Sequence, residues 1–90
     1  MELDTQQRRT LKTKAHHLKP VILIGQKGLH DALREELELA LDHHELLKIK
    51  IAADRESADA IVEQLLAQTG ATLIQRIGGT ATIYRKRIER

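Results

Sequence analysis

The apolar residues of this chain change their spacing several times along its 90 residues, and this alternation constrains the fold more than any other feature. Residues 46–52 (LLKIKIA) alternate apolar side chains with Lys48 and Lys50, which is the period of a strand with one polar face. On either side of this segment, apolar residues recur three or four positions apart, as they do on one face of a helix. Such a change of period predicts helices packed on a sheet.

Three helices are predicted, over residues 5–18, 29–44 and 54–69. The first can be capped by Asp4 or Thr5 and must end near Leu18, because Pro20 disfavours helical backbone at the residue before it. The third starts at Asp54, a good N-cap, and ends at Gly70, the residue type preferred just beyond a helix terminus.

Four strands are predicted, over residues 21–24, 46–52, 72–77 and 80–85. Gly78-Gly79 suits a tight hairpin between the last two. The fold class is therefore α/β, a single α-βαβαββ domain over residues 1–90 with a small four-stranded mixed sheet. If consecutive strands are parallel neighbours, the right-handed crossover rule places the second and third helices on one sheet face. The sequence leaves open whether residues 86–90 form a disordered tail.

Composition excludes several classes of protein. The chain has no cysteine, so disulfides, thiolate metal sites and thiol nucleophiles are ruled out. Its longest apolar run, residues 21–24, is far too short to span a membrane, and no apolar signal core follows Met1. We expect a cytoplasmic monomer with no membrane contact. Tyr84 is the only aromatic residue, so base stacking cannot dominate binding.

Charge is strongly segregated behind a net charge of only +2. Residues 1–28 carry +4, residues 29–75 carry −6 and residues 76–90 carry +4. On the first helix, Arg8, Arg9, Lys12 and His16 form a basic flank beside the apolar face. The second helix has an acidic stripe opposite its leucines, formed by Asp31, Glu35, Glu38, Asp42 and Glu45. That stripe is a solvated face, a surface that repels phosphate, or a contact for a basic protein.

The segment Gly25-Gln26-Lys27-Gly28 lies between a predicted strand and a predicted helix. Glycine permits positive φ and a close approach of another backbone, while the first turn of a helix presents unpaired amides to an anion. Lys27 adds a mobile charge suited to a phosphate oxygen. The spacing matches neither a Walker loop nor a Rossmann fingerprint. Two alternatives remain, namely a glycine turn of purely structural use and a site for a small phosphate compound.

Three segments, in this order along the chain, make the functional prediction more specific. HHLKPVILIGQKGL (16–29), HELLKIKI (44–51) and IGGTATIYR (77–85) together resemble the CRM domain, the YhbY-type RNA-binding module. The resemblance spans nearly the whole chain and implies an α-βαβαββ fold similar to the C-terminal domain of translation initiation factor three. It also implies RNA binding during assembly of the large ribosomal subunit, since members of the family are associated with precursors of that subunit or, in plants, with intron splicing.

By position, the resemblance assigns RNA contacts to the loop, the first helix and the second strand. Together with the charge pattern, it yields the RNA-binding candidates Gly25, Gln26, Lys27, Gly28, Arg8, Arg9, Lys12, Lys14, Lys19, Lys48, Lys50 and Arg85. With one aromatic residue, we expect contacts to phosphates and 2′-hydroxyls, in the manner of a KH-type G-x-x-G clamp. The rival prediction is a protein-interaction module that binds a basic ribosomal protein through the acidic helix face.

Catalysis and metal binding have little support. Ser57 is the only serine, and no base can be paired with it. Neighbouring histidines on a helix, as in His16-His17 and His43-His44, diverge by about 100° and cannot converge on one ion. We therefore expect no enzyme activity, no metal site and no cofactor.

Overall fold

The computed structural model describes residues 3–87. Its elements are α1 (Thr5–Ala15), β1 (Pro20–Gly25), α2 (Asp31–His44), β2 (Leu46–Ala52), α3 (Arg55–Thr69), β3 (Thr72–Ile77) and β4 (Thr80–Tyr84). The α/β class and the α-βαβαββ order predicted from the sequence are confirmed. Of residues 86–90, whose order the sequence leaves open, residues 88–90 lie outside the described part of the chain, whereas the Arg87 side chain donates to the Asp42 carbonyl of α2.

Helix α1 is one turn shorter than predicted. A capping box fixes its start, since the Asp4 carboxylate accepts from the Gln7 amide at 2.7 Å and the Gln7 side chain accepts from the Asp4 amide at 2.9 Å. At the other end, the amide of Leu18 donates to the Ala15 carbonyl at 3.0 Å, a bond between residues three apart. The predicted end at Leu18 is wrong because the chain tightens into a turn after Ala15, ahead of Pro20.

Helix α3 follows its prediction closely. The Asp54 carboxylate caps it by accepting from the Ser57 amide at 2.8 Å. Gly70 ends it in the left-handed conformation, with φ of 72°, and its amide donates to the Leu66 carbonyl. Both ends therefore follow from local side-chain and backbone preferences alone.

The four strands form one mixed sheet in the order β1-β2-β4-β3. β1 pairs with β2 in parallel, and β4 is antiparallel to both β2 and β3. The expectation that consecutive strands are parallel neighbours holds for β1 and β2 but is wrong for β2 and β3. The hairpin after β3 inserts β4 between them, where the Ile51 amide donates to the Gly79 carbonyl at 2.7 Å.

The sheet has one fully covered face. Helices α2 and α3 pack together on it, as predicted, and enclose the main core. The largest side chains of this core that are fully buried are Ile24, Leu37, Leu41, Leu47, Ile49, Leu65 and Ile83. Helix α1 lies on the opposite face, where Ala15 packs with Leu46 and Ile74 in a much smaller cluster. Most of that second face is left uncovered.

Candidate functional site

The G-x-x-G loop is a tight turn between β1 and α2. The Gly28 amide donates to the Gly25 carbonyl at 3.0 Å, which leaves Gln26 and Lys27 exposed at the tip. Gly28 has φ of 82°, a conformation that L side chains rarely adopt. Gly25 does not, and a Cβ atom built on it meets no atom within 4 Å. The two glycines thus differ, because the turn requires a backbone of positive φ only at Gly28.

Helix α2 starts two residues later than predicted, at Asp31 rather than at residue 29. His30 is extended and serves as N-cap, with its Nδ1 accepting from the Leu33 amide at 3.3 Å. One of the unpaired helix amides expected to face an anion is therefore occupied by this side chain. Asp31 also places a carboxylate in the first turn. Positive charge at the loop thus comes from Lys27 rather than from the helix terminus.

Asp54 is an acidic neighbour of the loop that the sequence did not reveal. The Gln26 amide group donates to its Oδ2 at 3.3 Å. Hydrogen bonds from the backbone amide and hydroxyl of Ser57 hold the pKa of Asp54 below its ordinary value, so its carboxylate is charged at neutral pH. Along the chain, no acidic residue lies between Asp4 and Asp31, but in space the Asp54 carboxylate also adjoins the loop.

The uncovered side of the sheet, called the open face below, adjoins the loop. It consists of the outward residues that are exposed or half-buried, namely Val21, Leu23, Lys48, Lys50, Gln75, Ile77 and Thr80. Thr82, which pairs with Lys48 and Gln75 on the same side, is buried. Lys48 and Lys50 lie on the open face because Leu47, Ile49 and Ile51 of the same strand turn to the main core. Lys50 is exposed and Lys48 half-buried. The sequence predicted these two lysines but not their neutral neighbours, which only the strand pairing brings together.

The basic residues of α1 lie at the far end of this side of the sheet. Arg9, Lys12 and Lys14 are exposed, as is Lys19 in the connection to β1. Arg8 is half-buried, and its Nη1 donates to the Leu73 carbonyl at 3.1 Å, which ties α1 to β3. Arg8 therefore has a structural role besides its charge.

The loop and α1 are separated along the sheet. Gly25 is level with Ala52 on β2, whereas α1 packs against Leu46, six residues away. At about 3.3 Å per strand residue, the separation is about 20 Å. The predicted basic residues therefore do not converge around the loop. They extend along the open face from α1 through Lys48 to Lys50, two residues before the end of β2 that lies beside the loop carrying Lys27.

Arg85 lies apart from the other candidates. Its guanidinium donates to Glu38 at 2.7 Å, to Asp42 at 3.2 Å and to the Thr69 carbonyl at 2.9 Å. These partners belong to α2 and α3, so the Arg85 side chain is on the covered side of the sheet. Arg85 therefore lies on the side of the sheet opposite to α1, because side chains alternate along the strand and the residue after Tyr84 turns to the helices.

The acidic stripe of α2 is largely paired within the chain. Partners within the described residues are Arg34 for Asp31, Arg85 for Glu38 and Asp42, and the Arg87 amide for Glu45. Arg76 likewise pairs with Asp59 of α3. Arg76 and Arg85 thus offset acids of the helices, and the bases of residues 8–19 remain on the other side.

Two kinds of feature are absent from residues 3–87. No three side chains of the metal-ligating types histidine, cysteine, aspartate and glutamate come together there as they would around an ion. None of the three helices is long and apolar enough to cross a membrane.

Comparisons with known proteins find similar sequences and a similar fold. The CRS1 / YhbY (CRM) domain family model matches residues 3–85. A relative from Haemophilus influenzae, named "RNA-binding protein", is 44% identical over 92% of this chain and 85% of its own length. Another from Pseudomonas aeruginosa, whose name begins "Probable RNA-binding protein", is 42% identical over 96% of this chain and 84% of its own. The solution structure of a Staphylococcus aureus protein superposes with a TM-score of 0.81 and 28% identity, covering 98% of this chain and 93% of that one.

The difference between the two loop glycines can be measured. We expect Gly28→Ala to lower the free energy of unfolding by about 1–2 kcal/mol, because alanine is strained at positive φ. Gly25→Ala should change it by less than about 0.5 kcal/mol, since its backbone is extended and its surroundings are open. Urea unfolding of both variants tests this, and equal losses would contradict the assignment.

Proposed function

Because the chain belongs to the CRS1 / YhbY (CRM) domain family, we propose that it binds RNA along the open face, between α1 and the G-x-x-G loop. The observation that carries this proposal is the separation of charge between the two sides of the sheet. Bases of the C-terminal part pair with acids on the helix side, while exposed bases line the other side for about 20 Å. A polyanion is the natural ligand of such a surface.

Binding through the RNA backbone suits the side chains present. Tyr84 is half-buried and packs in the small cluster beneath α1, so it is not a platform for stacked bases. The proposed contacts are phosphates at Arg9, Lys12, Lys14, Lys19, Lys27, Lys48 and Lys50, with Gly25 and Gln26 admitting the strand closely at the loop. In KH domains a G-x-x-G loop clamps about four nucleotides of backbone, which gives the scale of one such contact.

We further propose that the target is ribosomal RNA in precursors of the large subunit, in the cytoplasm, and that the protein acts as a monomer without cofactor or catalysis. The three sequence segments that resemble YhbY-type proteins support this assignment. The rival prediction, a basic protein bound by the acidic stripe, loses support because Glu38 and Asp42 already bind Arg85.

Salt dependence tests the phosphate contacts. If four to six phosphates are neutralised, the logarithm of the affinity for single-stranded RNA should fall with the logarithm of salt concentration with a slope of about −3 to −4. Lys27→Gln should weaken binding and reduce the slope by about 0.7. Fluorescence anisotropy titrations over a salt series measure both quantities.

Gln64→Glu is the matched control for that variant. It lowers the net charge by the same single unit at an exposed position of α3, on the helix side. We expect it to leave the slope and affinity nearly unchanged. A flat salt dependence of the unmodified protein would disprove the proposed binding mode.

Asp54→Asn should strengthen RNA binding. Asparagine caps helices as well as aspartate does, so α3 is preserved while the charge beside Gln26 is removed. One unit charge several ångströms from a phosphate changes affinity by about two- to threefold at low salt, and the gain should fade as salt is added. Glu63→Gln, an equal charge change in the middle of α3, should have no such effect. Unchanged affinity of Asp54→Asn would show that the strand does not approach the loop.

Sedimentation tests the proposed target. In a gradient of cell extract, the protein should migrate with large-subunit precursors rather than with mature ribosomes, and Lys27→Gln should shift it toward free protein. Sequencing of RNA crosslinked to it in cells should return large-subunit ribosomal RNA. Enrichment of other RNA classes alone would reject the target while leaving RNA binding intact.

A further inference from the structure

The open face combines positive charge with exposed apolar side chains. Among residues 3–87, four large apolar side chains are exposed, and three of them lie on this face: Val21, Leu23 and Ile77, with exposed fractions of 52%, 63% and 67%. The fourth is Leu39 of α2, also 63% exposed. A lone exposed leucine such as Leu39 is ordinary, whereas several apolar side chains exposed on one face point to a surface that a partner covers.

Strand pairing sets two of these apolar groups, Leu23 and Ile77, in one row with Lys50 and Thr80. Leu23 is the partner of Lys50, Lys50 of Thr80, and Thr80 of Ile77. Neighbouring strands are about 4.8 Å apart, so the row crosses the sheet over about 14 Å. Gly25 and Ala52, where the loop begins, are only two residues further along their strands.

The composition of the row defines the partner. It offers two apolar groups, one ammonium group and one hydroxyl, and none of the seven residues of the open face is acidic. A basic protein would find no carboxylate there. An unpaired RNA strand has phosphates for Lys50, hydrogen-bonding groups for Thr80 and apolar base and ribose surfaces for Leu23 and Ile77.

We propose that this row holds the bases or riboses of unpaired nucleotides, next to the phosphates at the loop, so that the protein prefers single-stranded RNA to duplex. The proposal rests on the RNA binding proposed above and adds the form of RNA that is selected. In an A-form duplex the base faces are stacked and the major groove is too narrow for the sheet to reach them. Apolar contact without aromatic stacking selects unpaired nucleotides with little preference among the four bases.

Leu23→Ser tests the row. Binding of an unpaired oligonucleotide should weaken about five- to tenfold, as expected for loss of most of the burial of a leucine. The salt slope should not change, because no phosphate contact is removed. Binding of a blunt hairpin duplex of equal charge should be unaffected. Lys50→Gln should show the opposite pattern, with a reduced slope on both RNAs.

Leu39→Ser is a closely matched control, because it changes the same residue type at the same exposed fraction on the helix side. It should bind both RNAs as the unmodified protein does. Leu23→Thr keeps a residue suited to strands while removing most of the apolar surface, and it should weaken binding of the unpaired strand even if serine disturbs β1. Thermal unfolding of each variant identifies any loss of folding.

The outcomes separate this proposal from the one on which it rests. If the unmodified protein binds neither RNA, the proposed function itself is wrong. If it binds, but Leu23→Ser and Leu23→Thr retain full affinity for the unpaired strand, only the proposed role of the row is wrong. Equal losses of affinity for single strand and duplex would likewise disprove the proposed role of the row. So would a loss of affinity in Leu39→Ser equal to that in Leu23→Ser.

Discussion

The alternation of side chains along β2 is the constraint on which the rest of the structure depends. Leu47, Ile49 and Ile51 supply the middle of the main core, and the same alternation turns Lys48 and Lys50 to the opposite side. Since β2 lies between β1 and β4, it cannot shift by one residue without exposing three core side chains and burying two charges. Stability and the position of the lysines are therefore set by one feature.

The distribution of charge follows from how the chain end folds back. Like charges along α2 repel, yet Arg85 bridges two of them and Arg87 donates to the carbonyls of Asp42 and His43 at the end of that helix. These contacts bind the guanidinium groups of Arg85 and Arg87 within the chain, although nothing in the sequence distinguishes these two residues from the bases of α1. What remains unpaired by this arrangement is concentrated on the other side of the sheet. A molecule with a small net charge thereby presents a strongly basic surface.

Local patterns predicted local structure well. The seven elements, the cap at Asp54 and the end at Gly70 all follow from periodicity and from preferences within a few residues. Three features could not be predicted this way, because each depends on which distant segments pair. They are the insertion of β4 beside β2, the capture of Arg85 by α2, and the distance of about 20 Å between α1 and the loop. The RNA-binding role of the candidate lysines remains a prediction, whereas their arrangement on the sheet, and the proximity of Asp54 to Gln26, required the fold.

The central position of β4 also bears on how the protein is made. The last strand along the chain pairs with β2 on one side and β3 on the other, so the sheet is divided until residues 80–84 are available. A nascent chain that has exposed only its first six elements lacks the strand that joins β3 to β2. Completion of the sheet thus waits until residues 80–84 have emerged from the translating ribosome, so a product truncated before them would lack the assembled surface.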